Sequence, residues 1–92
     1  ETSLAACERY MEQYEAHRID FTGCTLDEML YVVSLGRPVI AVTAGDHAVL
    51  IISYTMSDIT YADPDTGETT TVSVSQMEDL TEQGGNTFIG YI

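Results

Sequence analysis

Apolar residues recur at two different periods in this chain, and the change of period near Pro38 separates a helical part from a strand-forming part. Between residue 3 and about residue 17, Leu4, Cys7, Met11 and Tyr14 fall three or four apart, while Glu8, Glu12 and Glu15 take the other side. This spacing predicts an amphipathic helix that Thr2 or Ser3 can cap. Ile19 to Gly23 reads as a connector. Thr25-Leu-Asp-Glu28 then has the form of a capping box, in which the Thr25 hydroxyl accepts from the Glu28 amide and the Glu28 carboxylate accepts from the Thr25 amide. It opens a second helix with an apolar face of Leu26, Met29, Leu30 and Val33. Gly36 and Pro38 end that helix, because glycine accepts the left-handed terminal conformation and proline cannot continue the hydrogen-bond ladder.

From Pro38 the pattern becomes that of strands. Pro38–Thr43 and His47–Tyr54 are nearly continuous apolar runs joined by an Ala44-Gly45-Asp46 turn, as expected of central strands covered on both faces, with the two helices available for one face. Asp58–Ala62 is a third strand, Asp63-Pro64-Asp65-Thr66-Gly67 carries turn chemistry, and Thr69–Val74 alternates as a half-exposed fourth strand. Ser75-Gln-Met-Glu78 matches a second capping box and opens a short helix to about Glu82. Gly84-Gly85-Asn86 breaks it, and Thr87–Ile92 is a last strand. The connections are short, so neighbouring strands run antiparallel. The expected architecture is a single α+β domain over residues 1–92: two N-terminal helices packed on a mostly antiparallel sheet of about five strands, with one short inserted helix. Its expected core is Val39, Ile40, Val42, Val49, Leu50, Ile51 and Ile52 beneath Leu26, Met29, Leu30 and Val33.

Composition narrows the partners. The 92 residues are 45% hydrophobic and 20% charged, an ordinary globular balance, and a chain this short removes only about 60% of its unfolded surface from water. That favours an open cleft at a sheet edge over an enclosed pocket. Fifteen acidic residues against three arginines give a net charge of -12, which repels phosphate backbones and anionic lipid and excludes nucleic-acid binding. No apolar run reaches the 18 or so residues of a spanning helix, so no membrane insertion is expected. Residue 1 is Glu rather than Met, which fits a piece of a larger protein.

Cys7 and Cys24, with 16 residues between them, could form a disulfide outside the cell or remain two separate thiols. No Cys-x-x-Cys or His-x-x-x-His spacing exists, and the Asp63, Asp65 and Glu68 carboxylates do not complete a calcium loop. Neither a metal nor a cofactor is expected.

His47 follows the Gly-Asp turn at the start of the most apolar strand, and Asp63 ends the next one. Antiparallel pairing brings these two ends side by side, where a carboxylate can fix the imidazole tautomer and leave the other nitrogen to take a proton. Spacing alone favours the other reading, in which Asp63 bonds its own turn backbone and His47 is a partly buried strand residue.

A wider pattern bears on that choice. Leu26-Asp-Glu-x-Leu30, Gly36-Arg-Pro-Val-Ile40, Gly45-Asp-His-Ala-Val-Leu50 with Tyr54, Ile59-Thr-Tyr-Ala-Asp63-Pro64 and Gly67 together resemble the C-terminal half of papain-like cysteine peptidases of the double-glycine, bacteriocin-processing type. Gly85-Asn86-Thr-Phe-Ile-Gly-Tyr91 fits the closing strand of that family. The resemblance implies that His47 is the catalytic histidine and Asp63 the acid that orients it. It also implies a peptide or protein substrate, the remainder of the same polypeptide as a partner, and an extracellular or cell-surface bacterial setting. Ser53 stands where the family usually has glycine. The family's nucleophilic cysteine and oxyanion glutamine lie on an upstream segment, and neither is identifiable here. Cys24 precedes a capped helix whose amides could face a thiolate, but it is the wrong helix for the family. Cys7 belongs to a buried stripe. The expected function is therefore a cysteine peptidase-like domain that is non-catalytic as these 92 residues stand, the alternative being a peptide-binding or structural module. The open edge of Thr69–Val74 could receive an extended peptide.

Overall fold

The computed structural model describes residues 1–92. The chain forms α1 (Ser3–Met11), β1 (Arg18–Asp20), α2 (Leu26–Ser34), β2 (Val39–Val42), a tight turn at Ala44–Asp46, β3 (Ala48–Tyr54), β4 (Asp58–Ala62), β5 (Thr69–Ser73), α3 (Val74–Gln83) and β6 (Phe88–Tyr91). The six strands make one sheet in the order β1-β6-β2-β3-β4-β5, every neighbouring pair antiparallel. The α+β architecture is the expected one. No helix is long and apolar enough to cross a membrane.

Local chemistry explains most boundaries. The Thr2 side chain accepts from the Ala5 amide to start α1, and both halves of the Thr25–Glu28 capping box are formed at α2. At α3 the cap lies two residues before the expected Ser75: Ser73 accepts from Gln76, whose side chain returns to the Ser73 amide. Gln serves the third helical position as well as Glu does, so the earlier of two overlapping matches takes the helix and shortens β5. The first helix stops at Met11 rather than near residue 17, and Arg18–Asp20, expected as connector, pairs with Ile89–Tyr91 as an edge strand. All three β1 residues are exposed, so no apolar alternation announces them.

The two N-terminal helices lie on opposite faces of the sheet. On one side Leu26, Met29, Leu30, Val32 and Val33 of α2 and Met77 of α3 pack with Val39, Ala41, Val49, Ile51, Ile59 and Phe88. On the other, Cys7 and Met11 of α1 pack with Ile40, Ala48, Leu50, Ile89 and Tyr91. Alternate residues of β2 and β3 thus feed two separate cores, which is why both runs are continuously apolar. A buried bond fixes α1 to the sheet, the Ala48 amide donating to Ser3 Oγ at 2.8 Å. Gly84, at the end of α3, has an ordinary φ of -89° but lies against the Val42 carbonyl, with which any Cβ would collide.

Of the expected core strand residues, Val42 is only half-buried and Ile52 is exposed. The β3–β4 register slips between Ile51 and Ser53, so Ile52 is the additional residue of a bulge. Truncating Leu50 or Ile51 to Ala is expected to cost about 2 to 5 kcal/mol, whereas Ile52→Ala should stay within about 0.5 kcal/mol. Urea denaturation of the three variants checks this, and equal losses at all three would contradict the bulge.

Candidate functional site

His47 is placed by the turn that precedes it. Gly45 and Asp46 both take positive φ, 70° and 59°, which reverses the chain in few residues and favours glycine at the first position. The Thr43 amide and hydroxyl then donate to the His47 carbonyl at 2.6 and 3.1 Å. His47 therefore sits directly before β3, its backbone held and its ring half-exposed at the end of the sheet. Leu50 pairs with Ala62 in the β3–β4 ladder, so the residue after β4, Asp63, arrives beside it.

His47 Nε2 lies 3.1 Å from Asp63 Oδ2. The other carboxylate oxygen, Oδ1, accepts from the Asp65 amide at 2.9 Å, and the Asp63 backbone closes the turn through its bonds with Glu68 and Gly67. The two readings of Asp63 are thus not alternatives: one oxygen orders the turn and the other faces the imidazole. The Asp65 backbone N–H above all, and after it the His47 ring, hold the Asp63 carboxyl below its ordinary range against the opposing effect of partial burial. Across the ring, His47 Nδ1 lies 3.5 Å from Asp65 Oδ2. Sequence reasoning weighed Asp65 only as a loose calcium ligand. Its place two residues after Asp63 in a tight turn was the available signal.

Neither cysteine meets the histidine as a reactive thiol. Cys7 is fully buried in the α1-side core, and burial, reinforced by the Asp63 and Asp65 charges, pushes its thiol up to about 12. Cys24 packs against the α2-side core, so the sheet lies between it and Cys7. The two cannot form the disulfide left open by their spacing, since bridged Cα atoms lie within about 7 Å. Beside Asp63, α1 and the strands enclose an open groove of about 390 Å³ lined by Ala6, Tyr10, Leu50, Ile52, Asp63 and Pro64 among others. It is on the α1 side, across the sheet from the Cys24 packing site.

This arrangement, an imidazole between two carboxylates at the end of an antiparallel sheet beside an apolar groove, can hold a ring tautomer and accept or release a proton. No protein-family model matches the chain, and no curated protein matches it. Among solved structures, the chain is similar to a crystal structure assigned to a C39-like peptidase from Bacillus anthracis, with a TM-score of 0.75 and 20% sequence identity over 92% of this chain and 54% of that one. The α+β fold is thus that of the C39-like peptidase structure. The chain spans about half the length of the solved chain it matches.

Two expectations follow from the charges. Because the Asp63 carboxyl is depressed in the folded state, its contribution to stability is present above the unfolded value near pH 4 and is lost as pH falls through the lower folded value. Asp63→Asn should therefore lower the urea midpoint at pH 7 and approach the parent protein at pH 3; a difference that grows on acidification would reverse the sign of the linkage. Iodoacetamide at pH 7.5 should label Cys24 slowly and Cys7 only under unfolding conditions, with neither rate altered by His47→Ala. Rapid labelling of either thiol that depends on His47 would identify a nucleophile within the chain.

Proposed function

We propose that this chain is the His/Asp-bearing, C-terminal half of a papain-like cysteine peptidase domain of the double-glycine type, with the nucleophilic thiol supplied by a segment outside these 92 residues. The observation that carries the reading is the 3.1 Å contact of His47 Nε2 with Asp63 Oδ2 at one end of the sheet in a chain with a C39-like peptidase fold. With Asp63 accepting from Nε2–H, the Nδ1 lone pair is the one that takes the thiol proton. The thiolate then adds to the peptide carbonyl, the imidazolium protonates the leaving amine, and water hydrolyses the thioester. The apolar groove beside Asp63 offers a seat for substrate side chains. The substrate is a peptide or protein of an extracellular or surface-exposed bacterial system. Alone, the 92 residues are non-catalytic, since the burial of Cys7 and the α2-side packing of Cys24 leave no thiolate at Nδ1.

One observation favours a second reading for a protein without an upstream thiol. β5 is the terminal strand of the sheet, and Thr69, Thr70 and Thr71 are exposed along it, so an extended peptide could add there as a further strand. The native full-length gene product separates the two. It is expected to cleave peptides, with kcat/KM falling by roughly 100-fold or more in His47→Ala, in keeping with loss of a general base, and with a smaller loss in Asp63→Asn. Hydrolysis unchanged by His47→Ala would overturn the assignment, and peptide binding without hydrolysis would favour the β-edge module.

A further inference from the structure

The two sides of the His47 ring make different demands. A neutral imidazole carries one N–H, and Asp63, the closer acceptor at 3.1 Å, takes it at Nε2. Nδ1 then presents a lone pair to the Asp65 carboxylate, itself an acceptor, across 3.5 Å. Two acceptors held face to face need a positive charge between them, either a proton that makes the ring an imidazolium or a metal ion. The separation is longer than the roughly 2.8 Å of a charge-assisted hydrogen bond. It is close to the edge of a tetrahedral site, where two ligands about 2.0 to 2.1 Å from zinc stand roughly 3.3 Å apart. One ligand atom from each of His47, Asp63 and Asp65 falls within 4.8 Å of the others.

No arginine of the protein supplies that charge. Arg9 is paired with Glu1, Arg18 with Glu8, and Arg37 stacks on the Tyr14 ring. No arginine contributes to the lowering of Asp63. The net charge of -12 attracts cations from solution.

The geometry points to a divalent transition-metal site, of the kind Zn²⁺ occupies, formed by His47 Nδ1 and Asp65 Oδ2 and oriented by Asp63. The mixed nitrogen and oxygen donor set suits Zn²⁺ and its neighbours rather than Ca²⁺ or Mg²⁺, which prefer oxygen alone. Asp63 on Nε2–H reproduces the carboxylate–histidine arrangement that orients metal-bound imidazoles. His47 and Asp65 side chains are 35% and 55% exposed, which leaves room for water to complete the coordination. An ion here occupies the same lone pair that the proposed function gives to proton transfer, so the two uses exclude each other. Binding itself does not rest on the peptidase reading.

Titration of the chain with ZnCl₂, followed by calorimetry and by the imidazole ¹⁵N resonances, tests the site. One saturable Zn²⁺ per chain is expected, with the His47 Nδ1 resonance shifting and His17 unmoved. Asp65→Asn, an exposed turn substitution that spares the His47–Asp63 pair, should weaken binding at least tenfold, as should His47→Ala, while His17→Ala leaves it unchanged. Asp63→Asn should weaken it by about 10- to 100-fold by releasing the ring. Absence of saturable binding, or binding indifferent to both Asp65→Asn and His47→Ala, would overturn the proposal whatever the outcome of the peptidase assay.

Discussion

The constraint on which this structure turns is the burial of β3 on both of its faces. Val49 and Ile51 point to one core and Ala48 and Leu50 to the other, all of them nearly or fully shielded from water. A strand so placed needs a layer on each side, which is why α1 and α2, similar in length and both amphipathic, cannot share a face. It also needs a partner on each edge. β2 and β4 take those positions and fix the centre of the sheet, around which β6, β1 and β5 are added. In so small a domain each fully buried side chain carries a substantial share of the net stability.

The candidate site is a consequence of where that strand begins. His47 precedes the first buried residue of β3, so its ring escapes the core while its backbone stays anchored through Thr43. The antiparallel ladder delivers Asp63 to the same end, and the turn that follows folds Asp65 back to the opposite side of the ring. The same carboxylates act inward as well as outward. Their field reinforces burial in keeping Cys7 protonated, so the groups that could serve a thiolate elsewhere suppress one within the chain.

A fold alone does not perform a reaction. This domain has the architecture of a C39-like peptidase and, at the end of its sheet, an imidazole with a carboxylate on its Nε2. What it lacks among its own residues is an exposed thiol on the groove side. A helix N-terminus next to a cysteine, as at Cys24 before α2, does not compensate when the residue packs on the far side of the sheet.

Much of this was written locally in the chain. The Thr25–Glu28 capping box, the stop at Gly36 and Pro38, and the two apolar runs joined by a Gly-Asp turn depend on neighbours within a few residues, where stereochemistry leaves few choices. The approach of His47 and Asp63 was legible too, because a short loop between antiparallel strands dictates which ends meet. Tertiary structure decided the rest. A stripe of Cys7 and Met11 declares that a helix buries one side but not which layer it joins, and Arg18–Asp20 has no apolar signal of its own and becomes a strand only because β6 offers an unpaired edge. The bulge at Ile52, the reach of Ser3 to the Ala48 amide and the approach of Asp65 to Nδ1 are equally long-range. Each depends on two segments meeting after the sheet has formed, and the spacing of residues within one segment carries no information about the other.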